Sequence, residues 1–133
     1  MIFTVFAGSI SAQTKTTSST ASFQVSMQRG KVVYTQYCLP CHQADGGGVM
    51  NLNPPLIKTT YVLGDQTRLI NILLKGLNKG VTIDGDEYTN PMPPVNYLSD
   101  QQIADVLTYV RNNFSNKASA VTAAQVKLVR SKK

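Results

Sequence analysis

Two segments in the first half of the chain space their apolar residues as amphipathic helices do. In residues 26–38 apolar and small side chains recur at positions i, i+3, i+4 and i+7, and Ser26 is placed to cap the beginning. Asp65 can cap a second helix, in which leucines and isoleucines repeat until Gly76 and Gly80 interrupt the pattern. Both segments are therefore predicted to be helical.

A third helix is predicted in the last third of the chain. Ser99 and Gln102 form a capping box, in which each side chain bonds to the backbone N–H of the other residue. Apolar residues then mark one face of the helix as far as about Asn113. No stretch alternates between apolar and polar residues over a convincing length. The pattern as a whole predicts an all-α fold with three main helices.

The connections between these helices are long and rich in residues that break helices. Residues 45–55 contain three Gly and two Pro, and residues 79–98 contain two Gly and three Pro. Loops of this length without regular structure are uncommon unless they are functional. Because three short helices and two long loops bury little apolar surface, we expect a prosthetic group to fill the centre.

Length and composition limit the classes of function open to this fold. At 133 residues the chain has room for one domain, and 42% hydrophobic residues indicate a globular one. Two Cys and one His exclude a disulfide-rich scaffold and a multi-Cys zinc domain. The formal charge is +6, but four positive charges lie in residues 127–133, without interleaved aromatic residues. We expect a solvated basic tail and no binding to nucleic acid.

The amino-terminal residues have the character of an export signal. A short apolar run over residues 2–10 is followed by Ser11, Ala12 and Gln13, although no positive charge precedes Lys15. We interpret residues 1–12 as a signal peptide, which predicts an exported, periplasmic protein. Residues 13–25 are rich in Ser and Thr and have no apolar period, so we expect a flexible leader.

The motif that carries the chemistry is Cys38-Leu39-Pro40-Cys41-His42, which has the C-x-x-C-H spacing of a c-type haem attachment site. Two thiols three residues apart at a helix end can reach the two vinyl groups of one porphyrin and form thioethers. The adjacent His42 then falls beside the iron. A zinc site would need two further ligands, and a redox dithiol would need a βαβ context. The motif predicts one covalent haem c with His42 as an axial ligand.

The second axial ligand must come from elsewhere in the chain, and a Met thioether is the usual choice for electron-transfer haem. Met1 belongs to the predicted signal, and Met27 lies on the helix that leads to the Cys pair. Met50 follows His42 by only eight residues, in a Gly-rich loop. Met92 lies between prolines that stiffen its loop, and it has no core to fill there. We favour Met92 as the second ligand.

With these pieces in place, the chain resembles a class I monohaem cytochrome c over about residues 23–114. The resemblance rests on four segments, which are Gly30 to His42, Pro54-Pro55-Leu56, Met92-Pro93-Pro94 and Leu98 to Arg111. It implies a cytochrome c fold, with three main helices and long Gly/Pro-rich loops wrapped around one covalently attached haem. Residues 109–114 and the Met-Pro-Pro loop are also similar to cytochrome domains attached to periplasmic dehydrogenases and oxidases.

The resemblance also assigns roles to particular residues. It implies that the first and last helices cross, with Gly30 and Tyr34 against Leu107 and Tyr109. A second implied contact lies beside the iron, where a proline carbonyl accepts a hydrogen bond from the His42 ring. By its Pro-x-Leu spacing that proline is Pro54, with Pro55 as a close competitor. Such a bond fixes the ring and raises the basicity of the ligand.

These assignments predict a cytochrome domain over residues 26–116 and a basic extension over 117–133. The expected function is one-electron transfer between periplasmic redox partners, namely a dehydrogenase, an oxidase or another cytochrome. The protein is then an electron carrier rather than an enzyme, either free or fixed as a subunit of a larger dehydrogenase or oxidase associated with the membrane. The alternative from another class is a catalytic or gas-binding haem protein with a labile Met ligand.

Two loop segments bear on partners. Val49, Met50, Met92, Pro93 and Pro94 form an uncharged rim, which predicts a weak, partly apolar interface with modest salt dependence. The run 84–87, Asp-Gly-Asp-Glu, lacks the spacing of a calcium loop and is expected to be a solvated turn.

Overall fold

The computed structural model describes residues 14–132, in which helices predominate. The helices are α1 (Thr14–Val33), α2 (Leu39–His42), α3 (Thr60–Leu63), α4 (Gln66–Lys75), α5 (Asp100–Asn112) and α6 (Ala123–Ser131), with one turn of π-helix at Tyr34–Cys38. The strands β1 (Val81–Ile83) and β2 (Asp86–Tyr88) form an antiparallel pair. The prediction of an all-α fold is confirmed, apart from this small hairpin.

The fold is built on the crossing of α1 and α5, which meet at Gly30. A Cβ atom at residue 30 would lie 2.7 Å from both the carbonyl carbon of Asp105 and Cβ of Tyr109, so only Gly permits this approach. One turn further along the chain, the ring of Tyr34 packs against the rings of Tyr109 and Phe114, with distances of 5.5 and 5.2 Å between ring centres. The predicted crossing is confirmed for Gly30, Tyr34 and Tyr109, with Asp105 and Phe114 as further contacts, while Leu107 lies in the hydrophobic core.

The predicted helix ends are largely observed. Asp65 caps α4 by accepting from the backbone N–H groups of Thr67 and Arg68, and the capping box of Ser99 and Gln102 begins α5. The first helix differs, because α1 already begins at Thr14. The prediction of a flexible leader is therefore wrong for residues 14–25, and Ser26 is not a cap.

Polar tertiary contacts hold the carboxyl-terminal half of α1 against α5. The Ser26 hydroxyl donates to Asp105 at 2.7 Å, and Arg29 donates to both oxygens of the same carboxylate. Asp105 is buried in α5 and also accepts from Gln101. Polar contacts of this kind leave no apolar period in the sequence. The predicted signal over residues 1–12 lies outside the described residues.

The carboxyl-terminal segment is not a solvated tail, and that prediction is wrong for residues 123–131. Here α6 packs on α4 and α5, with Val126 and Val129 buried. Its start is a second capping box, formed by Thr122 and Gln125. Near its end, Arg130 forms an ion pair with Asp100.

The sequence pattern does not predict the β1–β2 hairpin, because strands of three residues are too short to show an alternation of apolar and polar positions. Its turn is Asp84-Gly85, both with positive φ, as a tight type I′ hairpin turn requires. The solvated turn predicted at this place is confirmed, but not the absence of strands. No helix among residues 14–132 combines the length and apolar character that crossing a membrane requires.

Candidate haem site

The C-x-x-C-H motif lies where α1 gives way to α2. The α-helical hydrogen-bond pattern of α1 ends at Val33, the turn Tyr34–Cys38 is π-helical, and α2 then ends at His42. Single π-helical turns are rare and are frequent at functional sites. Cys38 is half-buried and Cys41 is exposed, and they form no disulfide with each other. Burial, with a smaller contribution from Cys41, raises the pKa of Cys38 to about 11.

His42 is buried, and its ring is held by the backbone of the following loop. The Nδ1 atom lies 2.9 Å from the carbonyl oxygen of Pro54, to which it donates, so Nε2 keeps its lone pair. Burial lowers the pKa of His42, although the bond to Pro54 acts in the opposite direction. The ring is therefore neutral at pH 7 and able to bind a metal. The carbonyl at this distance is that of Pro54, not of Pro55.

The loop that presents Pro54 folds back on the end of α2. The N–H of Gly48 donates to the carbonyl of His42 at 3.0 Å, and the N–H of Leu56 donates to Gly46 at 2.7 Å. Gly48 has φ +65, and a Cβ there would lie 2.7 Å from the backbone of Pro54. The Gly-rich loop is thus what brings the Pro54 carbonyl to His42.

Met92 reaches the same site from a separate segment. Its backbone exchanges two hydrogen bonds with Leu77, at 2.8 and 2.9 Å, which fix the loop beside the end of α4. Gly76, with φ +69, allows this approach, because a Cβ there would lie 2.8 Å from Pro94 N. Met50, in contrast, is 84% exposed and does not line the cleft. Met27 does not line it either, and Met1 lies outside the described residues.

These segments enclose a cleft of about 670 Å³, including its open mouth. The cleft is lined by Cys38, His42, Pro54 and Met92. An adjoining groove is lined by Cys41 and again by His42, Pro54 and Met92. The structure thus brings together all five residues predicted for the site. The rest of the cleft wall is mostly aliphatic and consists of Pro55, Leu56, Thr59, Tyr61, Val62, Leu69, Ile72, Leu73, Leu77, Ile83, Val106, Leu107 and Val110.

One wall of the cleft was not predicted from the sequence. It is the segment 59–64, which contributes Thr59, Tyr61 and Val62 and has no helical or strand period. Its backbone is held by charged side chains from other elements. Arg111 Nη1 donates to the carbonyls of Val62 at 2.7 Å and Gly64 at 3.1 Å.

Two further charged residues hold the outer side of this wall. Arg68 donates to the Thr60 carbonyl at 3.1 Å, and its guanidinium lies 4.0 Å from the centre of the Tyr61 ring. Asp84, in the hairpin turn, accepts from the backbone N–H and the hydroxyl of Thr60, and these bonds lower the pKa of Asp84. No sequence motif signals these contacts, because Asp84 lies 24 residues from Thr60 and Arg68 belongs to the next helix, α4.

The chemistry of the cleft fits a c-type haem. A porphyrin needs an apolar slot, and the wall is almost wholly aliphatic. Two thiols stand at its edge, and a neutral imidazole and a thioether line it. Among the described residues, Arg68 Nε is the buried side-chain donor without a partner, and it lies beside Tyr61 at this wall.

Comparison with known proteins agrees with this reading. The family model described as "Cytochrome c" matches residues 27–114. The chain is 31% identical to cytochrome c-552 of Thermus thermophilus over 113 residues, which are 78% of this chain and 86% of that protein.

Larger relatives are cytochrome subunits of dehydrogenases. The cytochrome c subunit of the alcohol dehydrogenase (quinone) of Gluconacetobacter polyoxogenes is 34% identical over 128 residues, which are 92% of this chain and 27% of that subunit. The cytochrome c subunit of the gluconate 2-dehydrogenase of Pantoea cypripedii is 36% identical over 101 residues, which are 74% of this chain and 23% of that subunit. The chain thus spans about a quarter of the length of these subunits.

The motif, the apolar cleft and the match over residues 27–114 lead to one conclusion. The chain belongs to the cytochrome c family, as a monohaem class I cytochrome c domain with one covalently attached c-type haem.

Proposed function

We propose that this protein carries single electrons between periplasmic redox proteins, with Cys38 and Cys41 as the haem attachment residues and His42 and Met92 as the axial ligands. The observation that carries the proposal is the convergence of His42 and Met92 on one apolar cleft, each held by backbone hydrogen bonds. When bound, the haem supplies an iron that changes between the ferric and ferrous states by one electron.

The residues around the cleft orient the two axial ligands and exclude water. The Pro54 carbonyl fixes the tautomer of His42 and aims Nε2 away from the loop backbone. The two bonds between Met92 and Leu77 would hold the thioether loop in place beside the iron. The aliphatic wall excludes water, which disfavours the more highly charged ferric state and raises the potential.

The ligand assignment is tested with two matched methionine variants of the haem-loaded protein. Ferric haem with a Met ligand has a weak far-red absorption band that arises from sulfur-to-iron charge transfer. We expect Met92→Ala to lose this band and Met50→Ala to keep it, because Met50 points into solvent. A band that persists in Met92→Ala would contradict the assignment. A Met92 that leaves the iron readily would favour the gas-binding alternative.

The partner surface is proposed from two uncharged stretches of the sequence, residues 46–57 and 88–99. They are joined by hydrogen bonds from the N–H of Thr89 to the carbonyl of Asn51 at 3.0 Å and from the N–H of Asn90 to that of Leu52 at 3.1 Å. The whole chain has 20 charged residues, 13 basic and 7 acidic, but these two joined segments contain none of them. It supports a weak, partly apolar interface beside the haem edge.

Electron exchange with a redox partner tests this surface. We expect Leu52→Asn to slow the exchange several-fold, while Leu128→Asn, an exposed leucine on α6, leaves the rate unchanged. The rate should depend only modestly on ionic strength, because charged pairs do not contribute to the contact. A steep fall in rate between low and physiological salt would rule out this interface.

A second possibility is that the protein works as a fixed subunit of a dehydrogenase or oxidase at the periplasmic side of the membrane. The likeness to cytochrome c subunits of alcohol and gluconate dehydrogenases favours it. Purification from the native host distinguishes the two forms. A stable complex with a dehydrogenase supports the fixed subunit, and recovery of the cytochrome alone from the soluble periplasmic fraction supports the free carrier.

A further inference from the structure

Arg111 is a buried cation without an anionic partner among residues 14–132. Only 3% of the residue is exposed. Its guanidinium donates to the carbonyls of Val62, Gly64 and Ser119 and to the Ser119 hydroxyl, at distances between 2.7 and 3.2 Å. All four acceptors are neutral. Burial lowers the pKa of Arg111, but a guanidinium stays protonated in proteins.

Two arginines of the described chain, Arg29 and Arg130, differ in this respect, whereas the guanidinium of Arg68 contacts only the Thr60 carbonyl and the Tyr61 ring. Arg29 is bonded to both oxygens of Asp105, and Arg130 is paired with Asp100. Each of these charges is therefore balanced by a carboxylate, whereas that of Arg111 is not. A balanced pair has a weak field at a distance, while an unbalanced buried charge acts over a longer range.

Arg111 also lies directly behind the wall of the haem cleft. Its Nη1 atom is 2.7 Å from the carbonyl oxygen of Val62, and the side chain of Val62 lines the cleft. Val110, the preceding residue of α5, lines it as well. Arg111 is thus bonded to the backbone of one residue of the cleft wall and directly follows another along α5. Because only 3% of Arg111 is exposed, water and salt ions screen its charge less than they screen a surface charge.

We propose that Arg111 raises the reduction potential of the haem by placing an unbalanced positive charge behind the Val62 wall. When the iron accepts one electron, the net charge of the haem falls by one. A fixed positive charge therefore stabilises the ferrous form relative to the ferric form. This inference rests on the proposed electron transfer but concerns the potential alone, so each can fail without the other.

Charge and hydrogen bonding are separated by two substitutions in the haem-loaded protein. Arg111→Gln removes the charge, and Arg111→Lys keeps it while losing the planar set of donors. In a redox titration we expect the ferrous-to-ferric ratio at fixed ambient potential to fall at least about fivefold in Arg111→Gln. In Arg111→Lys it should stay within about twofold. Both variants should unfold at a lower concentration of guanidinium chloride than the parent, because both lose hydrogen bonds to Ser119 and to the backbone of the cleft wall.

A second pair of variants leaves Arg111 in place. Ser119 is exposed and accepts from Arg111, so Ser119→Asp adds a counter-charge without emptying the buried position. We expect Ser119→Asp to lower the potential in the same direction as Arg111→Gln, and Ser119→Asn to leave it unchanged. Lys117→Gln removes an exposed positive charge and should also leave it unchanged.

The far-red band must persist in every variant, so that a change of axial ligand is not read as an effect of charge. The proposal is supported if Arg111→Gln and Ser119→Asp lower the potential and Arg111→Lys does not. It is overturned if Arg111→Lys lowers the potential as much as Arg111→Gln, which would indicate a purely structural role. It is also overturned if neither Arg111→Gln nor Ser119→Asp changes the potential.

Discussion

Substitution of Gly30 by Ala tests whether the crossing of α1 and α5 holds the fold together. A methyl group at residue 30 would lie 2.7 Å from Cβ of Tyr109 and from the carbonyl carbon of Asp105, and closer still to the Asp105 oxygen. Ordinary contacts between carbon atoms are about 3.5 to 4.0 Å. The two helices must therefore separate by about 1 Å, because the obstacle is helix backbone rather than a side chain that can rotate.

The size of the effect follows from two opposing contributions. Overpacking of this kind costs about 1 to 3 kcal/mol, and here the upper part of that range applies because backbone atoms are the obstacle. Separation would also lengthen the bonds from Ser26 and Arg29 to Asp105. Against this, Ala stabilises a helix interior by about 1 kcal/mol relative to Gly. We expect Gly30→Ala to lower the free energy of unfolding by about 2 kcal/mol, or the melting temperature by roughly 8 °C.

The measurement is guanidinium unfolding of the haem-loaded protein, followed by far-ultraviolet circular dichroism. Gln28 provides the control, since it is exposed on the same helix two residues away. Gln28→Ala should be more stable than Gln28→Gly by about 1 kcal/mol, which is the helix propensity alone. At residue 30 the order should be reversed. If Ala is equal to or more stable than Gly at residue 30, the close crossing does not require glycine and the argument is wrong.

The remaining predictions concern other parts of the molecule. Asp105→Asn should cost about 2 kcal/mol in guanidinium unfolding, because four donors lose a charged acceptor. Thr122→Ala should cost about 1 kcal/mol in the same assay, because it removes the cap of α6. Cys38→Ala with Cys41→Ala should abolish covalent haem attachment, and the haem-free chain should lose most of its helical dichroism. Asp84 has a lowered pKa in the folded protein, so its contribution to stability is present at neutral pH and is lost as the pH falls through that value. Asp84→Asn should be less stable than the parent at neutral pH, and the two should converge in acid.

The parts of the fold that the sequence predicts are those encoded by short-range signals. Cys38, Cys41 and His42 lie within one pentapeptide, and the cap of α5 needs only Ser99 and three residues after it. The sequence also contains the capping box of α6, at Thr122 and Gln125. The basic residues that follow it favoured a solvated tail instead, and that prediction is wrong.

What the sequence does not predict depends on contacts between distant residues. The bonds that hold α1 to α5 join Ser26 and Arg29 to Asp105, which lies 79 and 76 residues further along the chain. The wall at residues 59–64 is held by Arg111, which donates to Val62 across 49 residues. Such bonds are not visible as a period or a motif, because neither partner alone has an unusual neighbourhood in the sequence.

The contacts of Arg130 give the carboxyl-terminal helix a mechanical role. Its guanidinium donates to the carbonyls of Asn96 at 2.9 Å and Leu98 at 2.8 Å, in the segment that follows Met92. A pull on the end of α6, from a fused domain, a purification tag or a docked protein, is therefore transmitted through these bonds to the loop that carries the thioether. We therefore expect a tag at this end of the chain to disturb the segment that follows Met92, although the tag itself lies outside the haem cleft.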